Sequence, residues 1–309
     1  MAKTLQLESM PSRPRLYLRA LCARKSGKLP LTPGGQADDR AGEPAPERDQ
    51  AATGELARVS LQRVRPDPAA LKAYREVGGF AASGSLPATY PFVLAMPLQM
   101  ELLVSDAFPF QVLGLVHVRN VITQYRPVAE DSALDLECRL CGPRPAARGL
   151  EFDLHTQVSA GGDLLWECTS TLLRRERRGT GRVARGARKV LPNLSAATVQ
   201  RWDIPANIGR RYAAVSGDRN PIHLSRWSAR LFGFPRAIAH GMWTKAHCLA
   251  ALEPQLPTGP FRIDVAFKLP ILLPASAQLH YCSADGAIDF AVKDGSGKKP
   301  HLQGRIESL

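Results

Sequence analysis

The stretch "RYAAVSGDRNPIHLSRWSARLFGFPRAIAHGMWTKAHCLAAL", residues 211–252, packs an acid, an amide, a proline and a histidine into a few positions ahead of an apolar run. Asp218 and His223 stand five residues apart with Asn220-Pro221 between them. Proline fixes φ, so this turn holds the imidazole in a stiff relation to the carboxylate. Read alone, the pair is either an ornate polar loop or two groups held together to move protons. A carboxylate beside an imidazole shifts the proton affinity of each, so their proton inventory belongs to the pair. The following run, "AIAHGMWTKAHCLAAL" (237–252), reads as a buried helix starting near His240-Gly241. Free N–H groups at such a start attract developing negative charge, and glycine permits close approach.

Outward from this stretch the chain repeats itself. "LKAYREVGGF" (71–80) parallels "GRRYAAVSGD" (209–218), and "TYPFVLAMPLQMELL" (89–103) parallels 237–252, with Met96 opposite Met242. "LVHVRNVITQYRPV" (115–128) then parallels "FRIDVAFKLPILLP" (261–274), and "SALDLECRL" (132–140) parallels "ASAQLHYCS" (275–283). Matches in constant order imply a duplicated unit of ~120 residues. Each unit reads as a strand, an irregular segment, an early apolar helix and then a meander, an α+β arrangement in which a curved antiparallel sheet wraps one helix. Glycine turns are expected at Gly142, Gly149, Gly161 and Gly162.

Tyr, Ser-Gly-Asp, Asn-Pro-Ile-His, Gly-Phe and Ala-His-Gly-Met, in that order over about 40 residues, resemble the MaoC-like dehydratases and (R)-specific enoyl-CoA hydratases. The resemblance extends over 55–309 and implies a double hot-dog fold. It implies that Asp218 and His223 are the catalytic pair, gripping one water without individual acid and base assignments, and that the oxyanion donor is the Gly241 N–H. Asn220 is expected to support the loop, Ser216 to bond local backbone, and His240 to fix the helix entrance; His247 reads as structural. The implied activity is (R)-specific 3-hydroxyacyl-thioester dehydration, or trans-2-enoyl-thioester hydration, in fatty acid metabolism, without metal or redox cofactor. Its substrate is carried on CoA or acyl carrier protein. Basic residues near the motif (Arg210, Arg211, Arg226, Arg230, Arg236) suit either acidic carrier. A non-catalytic acyl-thioester-binding subunit and a hot-dog thioesterase are the alternatives.

The first half lacks this chemistry. "VGGF" (77–80) stands opposite Ser-Gly-Asp, placing Gly79 where the acid belongs, and "VLAMP" stands opposite Ala-His-Gly-Met. Pro91 and Pro97 bracket the helix start, so a broken or shifted helix is expected there, opening a groove for long acyl chains past Ala95 and Leu98. The divisions are 1–54, a flexible N-terminal segment in which "PRLYLRALCAR" forms a short basic helix; 55–173, a degenerate hot-dog; 174–190, an Arg-rich linker; and 191–309, the catalytic hot-dog.

Composition excludes other classes. Of the net charge of +13, residues 174–189 hold seven arginines, one lysine and one glutamate, or +7. No aromatics alternate with those arginines to stack on bases, so nucleic acid is not the expected partner. The uncharged run 81–100 contains three prolines, so no membrane span is expected. Six scattered cysteines read as reduced thiols of a cytoplasmic protein, and no glycine-rich phosphate loop is present. Duplication supplies two-fold pairing internally, which leaves monomer or homodimer open.

Overall fold

The structure, a computed structural model, describes residues 2–22, 25–27, 54–176, 194 and 197–309. Most of the Arg-rich linker and most of 23–53 lie outside the described residues.

Strand β1 (Lys3–Gln6) precedes helix α1 (Arg13–Cys22). The first half then runs β2 (Glu55–Val64), α2 (Pro68–Gly78), α3 (Tyr90–Leu94), α4 (Met96–Val104), β3 (Leu115–Gln124), β4 (Leu134–Ala146), β5 (Gly149–Ala160) and β6 (Asp163–Arg175). The second runs β7 (Thr198–Ile204), α5 (Ile208–Ser216), α6 (Arg226–Arg230), α7 (Gly241–Ala251), β8 (Phe261–Phe267), β9 (Ala275–Ala284), β10 (Ala287–Asp294) and β11 (Pro300–Ser308). The strands form one 11-stranded sheet in the order β1-β2-β4-β5-β6-β3-β8-β11-β10-β9-β7. The two sheets expected from the duplication are therefore joined edge to edge where β3 pairs antiparallel with β8, from Arg119↔Ala266 to Gln124↔Phe261.

The elements follow from local chemistry. Alternating burial along β4 turns Leu134, Leu136, Cys138 and Leu140 inward, the period of a half-buried strand. Helix α2 starts at Asp67, whose side chain accepts the Ala70 N–H, with Pro68 in the first turn, and stops at Gly79 in the left-handed region (φ 90°). Its counterpart α5 stops the same way at Gly217 (φ 80°). The matching caps correct the register read from the sequence: Phe80, not Gly79, is the counterpart of Asp218.

Helices α3 and α4 replace one continuous helix. Pro97 has no N–H to offer the Val93 carbonyl, so the ladder breaks at Ala95, and α4 restarts with Pro97 in its first turn. Three other expectations change. Gly142 does not make a turn; β4 runs through it with a register irregularity between Cys141 and Arg144. Arg174 and Arg175 end β6 instead of opening the linker, with Arg174 over the Phe110 ring at 3.9 Å and paired to Glu176. The N-terminal segment over 2–22 is strand and helix, because β1 finds the open edge of β2 and α1 buries Leu16 and Ala20.

Helix α7 is sheathed on nearly all sides, burying Met242, Trp243, Ala246, Cys248 and Leu249. Lys245 is buried with them. Its ammonium donates to Asn120 Oδ1 (2.5 Å), the Asn120 carbonyl (3.2 Å) and the Ile263 carbonyl (3.5 Å), bridging β3 and β8. Burial drives its pKa down from the ordinary lysine range to about 7. The folded chain therefore binds fewer protons at Lys245 than the unfolded chain between about pH 7 and the lysine reference of ~10.4, so this contribution to stability rises with pH across that window. Urea unfolding from pH 7 to 10 is expected to show a rise of a few kcal/mol in wild type relative to Lys245→Met. Parallel curves would refute the assignment.

Candidate active site

The loop after α5 builds the acid. Asp218 follows the left-handed Gly217 and folds back, its Oδ1 accepting the Asn220 N–H at 3.1 Å. Ser216 is fully buried, donating to the Tyr212 carbonyl (2.7 Å) and accepting the Asp218 N–H (3.1 Å). Asn220 caps a one-turn 3-10 helix, Pro221–His223, by accepting the Ile222 N–H. That turn delivers His223 to the same side as Asp218. The His223 Nδ1–H donates to the Ile238 carbonyl at 2.8 Å, which fixes the tautomer and leaves Nε2 as the free lone pair.

His240 does more than mark a helix entrance. Its ring stacks on His223 with centroids 3.6 Å apart, and its Nε2–H donates to the Asp218 carbonyl at 3.0 Å. Nε2 also lies 3.8 Å from Asp218 Oδ2, but burial and the neighbouring His223 push His240 down to about 3, so it is neutral at ordinary pH. Burial likewise lowers the His223 pKa, against the opposing pull of Asp218. For Asp218, burial works against ionisation, but His240, His223, the Asn220 N–H and Tyr17 outweigh it and hold the carboxyl below its usual range. The resting pair is thus a carboxylate and a neutral imidazole, both proton acceptors.

Gly241 is the first residue of α7, and its N-cap His240 provides no side-chain cap, which leaves first-turn N–H groups available. A Cβ on Gly241 would sit 2.9 Å from the Phe267 ring, so glycine is also required by packing. His247 is remote in role: it bonds the Gly78 carbonyl at 2.9 Å and stacks on Trp243.

Asp218, His223, His240 and Gly241 line a cavity of about 480 Å³. The cavity continues into the first half along Phe92, Met96, Met100, Leu103, Leu154 and Leu172. Ala95 and Leu98, expected to line a groove, are fully buried and face away from it. The break in the helix turns Met96, Gln99 and Met100 to the cavity instead.

Three residues escaped the reading of the sequence. Tyr17 of α1 donates from its hydroxyl to Asp218 Oδ1 at 3.3 Å. Gly209, on α5, has its Cα against the His223 carbonyl, where a Cβ would lie 2.1 Å from the oxygen. His117 of β3 lines the cavity with Nε2 buried and unpartnered among the described residues, and burial lowers its pKa to about 4. Gly209 had a local signal, a glycine in a helix seven residues before the motif; Tyr17 and His117 had none.

A duplicated hot-dog sheet in which an acid and an imidazole open on a largely apolar cavity defines a double hot-dog protein with an acid–imidazole site. Residues 192–301 match the MaoC like domain. A 3-hydroxyacyl-thioester dehydratase X of Mycobacterium tuberculosis is 39% identical over 251 residues, covering 81% of this chain and 89% of that protein. The crystal structure of HtdX from the same organism superimposes with a TM-score of 0.70 at 38% identity, over 82% of this chain and 100% of that one. A MaoC-like dehydratase from Phytophthora capsici shares the fold at 18% identity (TM-score 0.63; 83% and 96% of the two chains). The chain belongs to the MaoC-like dehydratase family.

Substituting Gly209→Ala is expected to push the His223 backbone aside, costing about 1–3 kcal/mol in urea unfolding. The His223 imidazole pKa, followed by NMR, is expected to return towards the ordinary histidine value. An unshifted imidazole in a destabilised protein would show that Gly209 serves packing alone.

Proposed function

We propose that the chain is an (R)-specific 3-hydroxyacyl-thioester dehydratase / trans-2-enoyl-thioester hydratase of fatty acid metabolism, with Asp218 and His223 as its catalytic pair. The observation that carries this reading is the placement of the Asp218 carboxylate and the free His223 Nε2 on one cavity beside the start of α7. The 3-hydroxyacyl-thioester dehydratase X named above, 39% identical to this chain, supports it.

The thioester carbonyl oxygen lies at the Gly241 N–H, where the helix start stabilises the enolate-like charge that grows as C2 loses its proton. Because both members of the pair rest as acceptors, the proton removed from C2 is the proton the pair then delivers to the C3 hydroxyl. The C2–H and C3–O bonds break, the C2–C3 double bond forms and water leaves. In hydration the same pair orients a water, whose oxygen joins C3 while its proton passes to C2. Asn220 and Ser216 hold the Asp218 loop, and His240 backs His223.

In this reading 191–309 is the catalytic half and 55–173 the acyl-binding half, because the cavity passes from one to the other. Arg175 and Lys268 at the cavity suit the phosphates of CoA or an acidic acyl carrier protein. No described helix is long and apolar enough to cross a membrane. We place the protein in the cytoplasm on its unbridged cysteines, and in solution as a monomer or homodimer.

Purified protein is expected to hydrate trans-2-enoyl-CoA to the (R)-3-hydroxyacyl product, with loss of the conjugated thioester's absorbance, and Asp218→Asn is expected to lower kcat ~10²–10⁴-fold. Release of free thiol instead would make it a thioesterase, and folded protein with no turnover on CoA or carrier-protein substrates a binding subunit.

Filling the channel tests the division of labour. Met100→Trp is expected to cut kcat/KM for long-chain substrates by ~10-fold or more through lost apolar burial while four-carbon turnover persists. Equal loss at both lengths would contradict an acyl channel through the first half.

A further inference from the structure

A carboxylate that moves protons must keep one oxygen free while the other is held, and here one of the two holding groups comes from outside both halves. Asp218 Oδ1 accepts two hydrogen bonds, from the Asn220 N–H (3.1 Å) and the Tyr17 hydroxyl (3.3 Å). The Tyr17 oxygen accepts the Arg219 N–H at 2.7 Å, so the phenol's own proton is directed at the carboxylate. Tyr17 belongs to α1, 201 residues before Asp218 and far outside the MaoC like region.

Helix α1 is fastened independently of that contact. Leu16 and Ala20 are buried, and Arg19 makes a two-pronged ion pair with Glu101 of α4 at 2.7 Å. The Arg13 side chain sits where a Cβ on Gly217 would fall, 2.9 Å away. The Tyr17 ring packs on the core and lines the same cavity as His223. Burial and the nearby Asp218 raise the phenol's pKa, so it stays a donor.

We propose that Tyr17 is a positioning residue for the dehydratase site, its hydroxyl pinning Asp218 Oδ1 so that Oδ2 is the oxygen presented to substrate. This deepens the proposed function and rests on it. The titratable groups that act on Asp218 are Tyr17 from α1, His223 from its own loop, His240 before α7, Tyr212 from α5 and His117 from β3, while Arg13 of α1 acts on Tyr17 itself. Of these, Tyr17 alone both bonds the side-chain carboxylate and comes from an element outside the duplicated halves.

The test is Tyr17→Phe in the full chain, which keeps the packed ring and removes only the hydroxyl. With aspartate carboxyl carbons labelled and the Asp218 resonance identified by its absence in Asp218→Asn, NMR titration is expected to show the Asp218 pKa rising by about 0.5–1 unit. Hydration kinetics are expected to show kcat down ~3–10-fold with KM within ~2-fold, as befits an interaction that orients a reacting group. Arg19→Gln, which loosens α1 but keeps the phenol, is expected to change neither. An unshifted Asp218 pKa in Tyr17→Phe, or the same kinetic losses in Arg19→Gln with its Asp218 pKa unshifted, would overturn the proposal. If wild type turned over no thioester, the functional reading would fail separately, and the titration would still decide whether Tyr17 holds Asp218.

Discussion

The antiparallel pairing of β3 with β8 is the constraint on which the remaining architecture hangs. It joins a six-stranded sheet, β1 included, to a five-stranded one as a single surface, and Lys245 reaches from α7 to carbonyls on both strands of the seam. Arg119 of β3 forks onto Asp264 of β8 across the same seam. An ammonium so deeply buried costs desolvation, which the three oxygens around it offset only while both strands are in place. The central helix of the second half is thereby registered against the sheet of the first. The start of that helix, where Gly241 stands, inherits the same registration.

From this seam follows the unequal use of two similar halves. In the second half a continuous α7 offers its open first turn to the site. In the first half Pro97 interrupts the equivalent helix, and the broken pieces turn Met96 and Met100 towards the cavity that begins at Asp218. Neither half holds both features. The pairing of β3 with β8 brings them together around one cavity.

Much of this was legible in the residues. The Asp218–His223 spacing, the fixed turn at Pro221 and the apolar helix after Gly241 are local patterns, and local patterns survive reading without coordinates. The broken helix was visible in Pro91 and Pro97. What was not legible depends on side-chain direction. Ala95 at the break and Leu98 on α4 are in the expected segment but buried in the core, because the break rotates α4 relative to a continuous helix. The Gly79 register slipped by one because a left-handed cap, not the acid, is the shared landmark of α2 and α5. Tyr17 lies in a basic decamer that resembles a detached surface helix until β1 and α1 dock. No local spacing encodes a contact across 201 residues.

The face-to-face stack of His223 on His240 limits the charge that the proposed catalytic centre takes up at modest cost. Two imidazoles 3.6 Å apart cannot both carry a proton at modest cost, so protonating one makes the second uptake harder. With the adjacent carboxylate ionised, the centre carries minus one, or zero once one imidazole takes a proton. In those two states it offers no positive charge to an anionic group. Under the proposed function, attraction for the carrier therefore falls to the rim and to the apolar depth of the cavity, leaving the reacting atoms in a neutral to negative field.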